Sequence, residues 1–339
     1  MSSVEIVDYE ALDPEFYQKR VHQLFYSAPW LQALANTYGY RFQTAIDRST
    51  DQFMIFTVVE HFVGSKVVSL PFSDYTEIDA EAATKLLPAI REQYPALPVV
   101  LKTTLADAAA LGQPIRQAYY HRIDTQALEP AQQKLSSSFK RGIKKAQRAE
   151  VQVVLKQDEA ALQAFYAMYH QLRINKFTSI PQPYAFFQEI FNAFIAQDQG
   201  FILQAEHQAQ VIASIVVLQH QDILYYKFGC SSEASLDLRP NNLIFDTLIR
   251  HAAQHQFKAI DLGLSGAGAS YEGLVRFKES MGGVRKGITY FRADPPGYDD
   301  RAEKDLKQLL SSLTQVIVEQ EPNVAATDRF SKILYPFFA

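Results

Sequence analysis

The order of secondary-structure signals from residue 151 to residue 291 constrains the fold of this chain most strongly. A strand-like run comes first, then two helical patterns, three strand-like runs joined by short polar turns, and finally helix, strand, helix and strand. The predicted elements are Val151–Leu155, Glu159–Arg173, Tyr184–Ala196, Phe201–Glu206, Val211–Gln219, Ile223–Gly229, Asn242–Gln256, Ala259–Leu262, Tyr271–Met281 and Arg285–Phe291. Strands that alternate with helices in this way predict a mixed α/β fold.

The first 130 residues give a looser version of the same order. We therefore predict a first domain over residues 1–130, a basic connecting helix over 131–150 and a second domain over 151–339. The second domain includes a C-terminal helix, Asp299–Glu319, with an apolar stripe at Leu306, Leu309, Leu310, Leu313 and Ile317. The active site is expected in a cleft between the two domains.

Composition narrows the class of protein. The chain has 339 residues, a net charge of −4 and a single cysteine, Cys230, so it has no intrachain disulfide. It has neither an apolar signal peptide at its N-terminus nor a run of roughly 20 apolar residues, and we expect a cytoplasmic protein without a membrane span. The acidic balance argues against stable DNA binding, so a polyanionic partner must be held by a local basic patch.

Four segments carry a family resemblance. They are the basic run from Phe139 to Val151, Ala259-Ile-Asp-Leu-Gly263, Gly273-Leu-Val-Arg-Phe-Lys-Glu-Ser-Met-Gly-Gly283, and Leu70-Pro-Phe-Ser-Asp-Tyr75. Their order and spacing resemble the FemAB-type aminoacyl- and acyltransferases of the GNAT superfamily. This resemblance implies two tandem GNAT-like domains. It also implies transfer of an aminoacyl or acyl group to an amine of a cell-envelope precursor, such as one of peptidoglycan, or of a related sugar or peptide.

The resemblance also implies roles for particular residues. Lys278 matches a lysine that acts on the donor or its leaving group, and a half-buried lysine there could stabilise an oxyanion. Its spacing places it beside an apolar stripe at Leu274, Phe277 and Met281. The alternative for Lys278 is a surface lysine paired with Glu272 or Glu279. The predicted acceptor pocket includes Asp74 and Tyr75.

The basic helix is a candidate phosphate clamp. Lys140, Lys144 and Arg148 follow at i, i+4 and i+8, and Arg141 and Lys145 lie one residue round the helix. No acidic residue interrupts the run, so these cations repel each other unless an anion is near. Two interpretations of this helix are nearly equally supported: a solvated helix face, and a clamp for the phosphates of a tRNA or nucleotide-sugar ligand. The family resemblance favours the clamp.

A second candidate binding segment is Arg239-Pro-Asn-Asn-Leu-Ile244. It stands where GNAT enzymes carry a glycine-rich loop that holds the pyrophosphate of acyl-CoA. Here Asn242 and Ile244 occupy glycine positions, and the branched Ile244 side chain is expected to crowd a phosphate. A simple turn with a helix cap explains this segment better than CoA binding, although Arg239 and Asn242 could hold another donor.

Three further residues have two interpretations each. Strand alternation sends Tyr225 and Lys227 to one face and Tyr226 to the other, and the Tyr225 hydroxyl could act as a general acid. An aromatic residue in a strand is, however, more often part of the core. Arg173 and Lys176 are either diphosphate contacts or cations that stabilise the C-terminus of a helix.

The sequence lacks the motifs of several other enzyme classes. The chain has no HExxH zinc motif, no Walker A loop and no G-x-S-x-G elbow, so we predict no metal and no resident cofactor. The donor is aminoacyl-tRNA or acyl-CoA, and the acceptor is a small or nucleotide-linked molecule. We predict an N-acyltransferase. The alternatives are CoA-dependent acylation of a sugar amine and a GNAT-like protein that binds without catalysis.

Overall fold

The computed structural model describes residues 4–61, 64–105 and 111–338, and its elements confirm a mixed α/β fold. The strands are β1 (Val4–Asp8), β2 (Phe42–Asp47), β3 (Gln52–His61), β4 (Gly64–Val68), β5 (Val99–Thr103), β6 (Gln113–Asp124), β7 (Gln152–Lys156), β8 (Gly200–His207), β9 (Gln210–His220), β10 (Ile223–Ser231), β11 (Ala259–Gly266) and β12 (Val284–Ala293). The helices are α1 (Pro14–Arg20), α2 (Ala28–Tyr38), α3 (Ala80–Gln93), α4 (Leu128–Gln133), α5 (Ser137–Arg148), α6 (Glu159–Asn175), α7 (Tyr184–Ala193), α8 (Pro240–Gln254), α9 (Glu272–Ser280), α10 (Arg301–Gln320) and α11 (Val324–Leu334).

Local chemistry sets several helix ends. Asp13 caps α1 by accepting a hydrogen bond from the Glu15 amide. Gly39 adopts a left-handed conformation, with φ of 74°, and ends α2 where the sequence predicts. At the start of α5, the Ser136 hydroxyl accepts from the Phe139 amide. Two short helices, α4 and α11, lack a sequence prediction.

The residues group into two compact units. Unit 1 comprises residues 1–118, 287–317 and 329–339, and unit 2 comprises residues 119–286 and 318–328. In unit 1, the strand order is β1-β2-β3-β4-β5-β12. The first four strands are antiparallel, β4 pairs parallel with β5, and β12 pairs antiparallel with β5.

Unit 2 repeats this arrangement. Its strand order is β7-β8-β9-β10-β11-β6, with antiparallel pairs from β7 to β10 and a parallel pair of β10 and β11. Between β1 and β5, and again between β7 and β11, the α and β elements follow the order β-α-α-β-β-β-α-β. The duplication that the sequence indicates is therefore present in the element order.

The units differ from the predicted domain boundaries because one strand of each sheet comes from the other half of the sequence. Residues 287–293 of β12 belong to unit 1, and residues 119–124 of β6, which follows β5 in sequence, belong to unit 2. The basic helix α5 is part of unit 2 instead of a connection. Its buried residues Phe139, Ile143 and Ala146 pack in the same core as Ile244 and Leu248 of α8.

The apolar stripe of the C-terminal helix α10 is buried along one edge only. Leu310 and Ile317 are buried, but Leu309 and Leu313 are 64% and 42% exposed. The helix turns 100° per residue, so the five positions share one face about 100° wide, and the edge that carries Leu309 and Leu313 faces solvent. Among the described residues, no helix is long and apolar enough to cross a membrane.

A largely buried ion network holds α10 within unit 1. The Glu303 carboxylate lies 3.1 Å from Arg292, 3.2 Å from Lys307 and 3.9 Å from Lys66. Burial alone would raise the pKa of Glu303, but these three cations more than offset it and the pKa is lowered. Burial also lowers the pKa of Lys66 to about 8, an effect that Glu303 partly opposes.

We expect Glu303→Gln to lower the free energy of unfolding of unit 1 by about 3 kcal/mol at pH 7, because it leaves Lys66 and Arg292 without their shared anion. A carboxylate with a lowered folded pKa stabilises above its unfolded pKa of about 4.3 and loses this contribution as pH falls through the folded value. The difference between wild type and variant, measured by urea unfolding, should therefore shrink below pH 4. Asp305→Asn, on the exposed side of α10, is the control and should change little.

Candidate functional site

The basic helix α5 presents an apolar face to the core and a cationic face to solvent. Phe139, Ile143 and Ala146 are buried. The five cations on the helix are exposed, and none belongs to an ion pair within residues 4–61, 64–105 and 111–338: Lys140, Arg141, Lys144, Lys145 and Arg148. An uncompensated cationic face on a well-anchored helix is suited to an anionic ligand.

Gly142 lets α5 lie directly on the start of α8. A Cβ atom at this position would lie 2.5 Å from Asn242 Cγ, closer than any real contact. The Asn242 side-chain amide in turn donates to the Phe139 carbonyl at 3.4 Å. The Gly142–Asn242 contact therefore fixes the distance between the cationic helix and the N-terminus of α8.

The N-terminus of α8 begins two residues earlier than predicted. Arg239 has a left-handed backbone, with φ of 60°, and Pro240 takes the first helical position, where its missing N–H is not needed. No side chain caps this helix end. Its positive dipole is therefore available to an anion from outside.

A cavity of about 570 Å³ opens between α5 and the start of α8, within unit 2. The residues that matter for its chemistry are Arg141, Lys145, Arg239, Asn241, Asn242 and Phe277. Three of them are cations, and no carboxylate lines the cavity among the described residues. The cavity thus combines positive side chains with a helix N-terminus, which is the chemistry of a phosphate site.

The structure brings together part of the predicted phosphate clamp. Arg141 and Lys145, at i and i+4, line the cavity with Arg239 and Asn242. Lys140, Lys144 and Arg148 do not line it, although they are exposed on the same helix. The sequence predicted the cationic helix correctly as an element, but the face that meets the cavity is the one carrying Arg141 and Lys145.

Ile244 does not crowd this cavity, contrary to the expectation from sequence. Its side chain is fully buried in the core of unit 2, because α8 already begins at Pro240 and turns Ile244 inward. The side chain that packs between α5 and the start of α8 is Asn242, in contact with Gly142.

Lys278 lies deeper than predicted. It is only 2% exposed instead of half-buried, and its ammonium donates to the carbonyls of Gly263 at 2.8 Å and Leu264 at 3.0 Å. It is not a surface lysine paired with Glu272 or Glu279, because those carboxylates pair with Arg276 and Arg285. A buried ammonium held by two carbonyls has a fixed position.

The apolar stripe beside Lys278 also differs from the prediction. Met281 is buried, but Leu274 is exposed, and Phe277 lines the cavity while its ring packs against Phe139 and Phe245. Helix α9 ends at Ser280, so Met281 lies outside the helical repeat from which the stripe was predicted.

Asp261 stabilises its own strand. Strand β11 continues to Gly266 instead of ending near Asp261, and the buried Asp261 carboxylate accepts from the Gly263 amide at 2.8 Å and from Arg122 at 3.3 Å. These contacts agree with the structural role that the sequence favours for this residue.

The meander strand β10 is irregular where alternation was assumed. The pairing register with β9 shifts between Tyr226 and Phe228, so Lys227 is an extra residue in a bulge. Tyr225 is buried, and Tyr226 packs edge-on against Phe245 at 5.0 Å. The alternation that placed Tyr225 and Lys227 on one face is broken at this bulge.

The remaining predicted residues lie outside the cavity lining. Lys176 pairs with Glu233 at 3.7 Å, and the half-buried Arg173 packs over the Phe177 ring. Both contacts agree with structural roles at the C-terminus of α6. In unit 1, Tyr75 is a core residue that packs edge-on against Phe25, and Asp74 beside it is half-buried.

Gly142 and Phe277 are two of the cavity residues that sequence reasoning did not assign to the site. Gly142 is a small residue in the middle of a cationic helix, where glycine costs about 1 kcal/mol relative to alanine, and this cost was the available signal. Phe277 was assigned to the core, and only the three-dimensional arrangement shows that part of its ring also lines the cavity.

Comparisons with known proteins agree with this description. Residues 133–279, which include the whole cavity except Ser280, match the family model of the acetyltransferase (GNAT) domain. No curated protein sequence matches the chain.

Solved structures show the same fold over nearly the whole chain. FemX has a TM-score of 0.62 and 11% identity, and the match covers 91% of this chain and 100% of FemX. L-PGS from Bacillus licheniformis has a TM-score of 0.56 and 13% identity, with 90% and 98% of the two chains covered. The chain therefore has a FemAB-like GNAT fold, and the resemblance inferred from the sequence is confirmed.

We expect the double variant Arg141→Glu/Lys145→Glu to bind inorganic pyrophosphate at least about tenfold more weakly than wild type, because two charges that line the cavity are reversed. The control is Lys140→Glu/Lys144→Glu, which changes the net charge by the same amount outside the lining. Titration calorimetry at two salt concentrations measures both. Equal losses in the two variants would show that only the overall field attracts the anion, and the melting temperatures should stay nearly unchanged.

Proposed function

We propose that the protein is an N-acyltransferase that moves an aminoacyl or acyl group from a phosphate-bearing carrier to an amine. The acceptor is a cell-envelope precursor, such as one of peptidoglycan, or a related sugar or peptide. The observation that carries the proposal is the cavity at the start of α8, where Arg141, Lys145 and Arg239 surround an uncapped helix N-terminus in a GNAT-type fold.

The cavity favours a carrier other than CoA. Asn242 fills the space against Gly142 with a side chain that a glycine-rich loop would lack, and this side chain is tied to the Phe139 carbonyl. The cations lie on two elements, α5 and the start of α8, so they suit phosphates that are spread along a ligand. The terminal nucleotides of an aminoacyl-tRNA carry successive phosphates of this kind.

The reaction itself needs little covalent help from the protein. The amine nitrogen attacks the carbonyl carbon of the donor, a C–N bond forms, and the ester C–O bond to the carrier breaks. The amine loses one proton, and the departing carrier hydroxyl takes one up. Binding the carrier phosphates fixes the carbonyl relative to the amine, and such positioning supplies much of the rate enhancement.

Lys278 is the residue that we assign to electrostatic stabilisation of the oxyanion. Its ammonium is buried and held on the Gly263 and Leu264 carbonyls, so no reorganisation is needed when negative charge develops nearby. We assign the half-buried Asp74 to the acceptor. Tyr75 and Tyr225 are buried, and Arg173 and Lys176 make the structural contacts described above, so none of these four is assigned to a substrate. The proposed reaction takes place in the cytoplasm.

Acyl-CoA is the second candidate donor. The match of residues 133–279 to an acetyltransferase domain favours it, and Arg239 stands at the first position of the usual pyrophosphate loop. In that case the acceptor is a sugar amine, and the bond that breaks is the thioester C–S bond. A GNAT-like protein that binds ligands without catalysis is the third outcome that the experiments below distinguish.

We expect acetyl-CoA to bind no tighter than about 0.1 mM, roughly −5.5 kcal/mol, because the Asn242 side chain packs against Gly142 where a glycine-rich loop would have none. Charged tRNA should bind more tightly, and its affinity should fall with salt. Calorimetry with charged tRNA, acetyl-CoA and nucleotide-sugar precursors, side by side on the wild-type protein, makes the comparison. Low-micromolar binding of CoA would replace the proposed donor by the second candidate.

We expect Lys278→Met to reduce the transfer rate by about 100- to 1,000-fold, because the charge that faces the developing oxyanion is lost. Lys278→Arg should restore only part of the rate, since a planar guanidinium cannot occupy the place of an ammonium. Lys278→Met should also melt at a lower temperature than wild type, because the Gly263 and Leu264 carbonyls lose their donor.

The control for this measurement is Arg276→Met, two residues away on α9 and exposed in an ion pair with Glu272. It should retain wild-type rate and stability. Full turnover by Lys278→Met would show that the lysine is structural only.

A further inference from the structure

His121, on β6 in unit 2, is unusual among the histidines of this chain. It is 0% exposed, and neither ring nitrogen has a hydrogen-bond partner among the residues that the structure describes. Buried polar atoms of native proteins are nearly always paired, and exceptions concentrate where function requires them.

Gly283 lies between the His121 side chain and the backbone of Lys278. A Cβ atom on Gly283 would lie 2.7 Å from the Lys278 carbonyl oxygen and 3.2 Å from His121 Cβ, so only glycine fits between them. The Gly283 amide also donates to the Lys278 carbonyl at 3.1 Å. The C-terminal turn of α9, from which the Lys278 side chain extends, is thus packed directly against the His121 side chain.

The imidazole is uncharged at neutral pH. Burial lowers the pKa of His121 to about 4, and the positive charges of Lys278 and Arg285 contribute in the same direction. The ring therefore adds no competing charge near the Lys278 ammonium. Ser265, next to the Leu264 carbonyl that Lys278 contacts, has a buried hydroxyl that also lacks a partner among the described residues.

We propose that His121 is a positioning residue for Lys278. Its uncharged ring, packed against the Gly282–Gly283 turn, sets where the Lys278 ammonium lies on the Gly263 and Leu264 carbonyls. The consequence for catalysis rests on the proposed function, whereas the effect on the Lys278 ammonium does not.

The first experiment needs no substrate. Lysine labelled with ¹⁵N reports the Lys278 ammonium by NMR, and the signal is assigned by its loss in Lys278→Met. In His121→Phe we expect this signal to shift or to exchange faster with solvent, while the melting temperature stays equal to or above that of wild type. The control is His251→Phe, a histidine of the same unit that packs on Phe201, and it should leave the Lys278 signal unchanged.

The second experiment measures transfer. His121→Phe should lower kcat by about 10- to 100-fold, as expected for a misplaced catalytic group, with KM within about twofold of wild type. His121→Gln, which keeps an amide nitrogen on the side chain, should recover part of kcat and serves as the test if the Phe variant does not fold.

The outcomes separate this proposal from the proposed function. An unchanged Lys278 signal in both His121 variants overturns the positioning role, whether or not the protein transfers an acyl group. A shifted Lys278 signal in a protein without transferase activity supports the positioning role and rejects the proposed function. If transfer occurs and kcat is unchanged in both variants, His121 has no part in catalysis.

Discussion

The parallel pairing of β10 with β11 is the constraint on which the rest of unit 2 depends. Two parallel neighbours cannot be joined by a hairpin, so the chain must cross over the sheet through a helix, here α8. The crossover starts where β10 ends, and the N-terminus of α8 is therefore placed there. The cavity, the packing of α5 and the position of Asn242 all follow from that placement.

Unit 1 contains the same crossover, and it shows why a repeated fold need not repeat a site. Strands β4 and β5 are also parallel and are joined by α3. The N-terminus of α3 is capped by the Asp79 carboxylate, which accepts from the Ala82 amide at 2.7 Å, and Glu81 adds a second negative charge. This helix end has its own anion, whereas the end of α8 follows a cationic residue, Arg239, and has no side-chain cap.

Sequence reasoning recovered the order of the elements because local signals determine it. Hydrophobic periodicity, capping residues and turn residues are all properties of short segments, and α6 was predicted to begin at the observed residue, Glu159. The positions of β6 and β12, each beside strands from the other half of the sequence, could not be predicted in this way. The residue pattern of a strand does not specify which strands it pairs with. The depth of Lys278 was missed for a related reason: a helical repeat assigns faces of a helix, but not how far another element covers them.

The same limit applies to the candidate site. The cationic helix and the Arg239 segment were each visible as patterns, yet their meeting depends on Gly142, whose lack of a side chain is informative only beside Asn242. His121 gave no signal at all, since a single histidine in a strand is unremarkable until its neighbours are known. The sequence patterns identified the individual segments, but they did not show which distant segments contact each other.

The position of β12 has a consequence for synthesis on the ribosome. Residues 99–103 of β5 pair with residues 289–293 of β12, which are synthesised nearly 190 residues later. Until then the backbone N–H and C=O groups along this edge of β5 lack their partner strand. The nascent first half must therefore remain soluble with an open strand edge, which is a surface that other chains can join. The strands of unit 2, in contrast, are all synthesised by residue 266, so the sheet of the first unit is completed after that of the second.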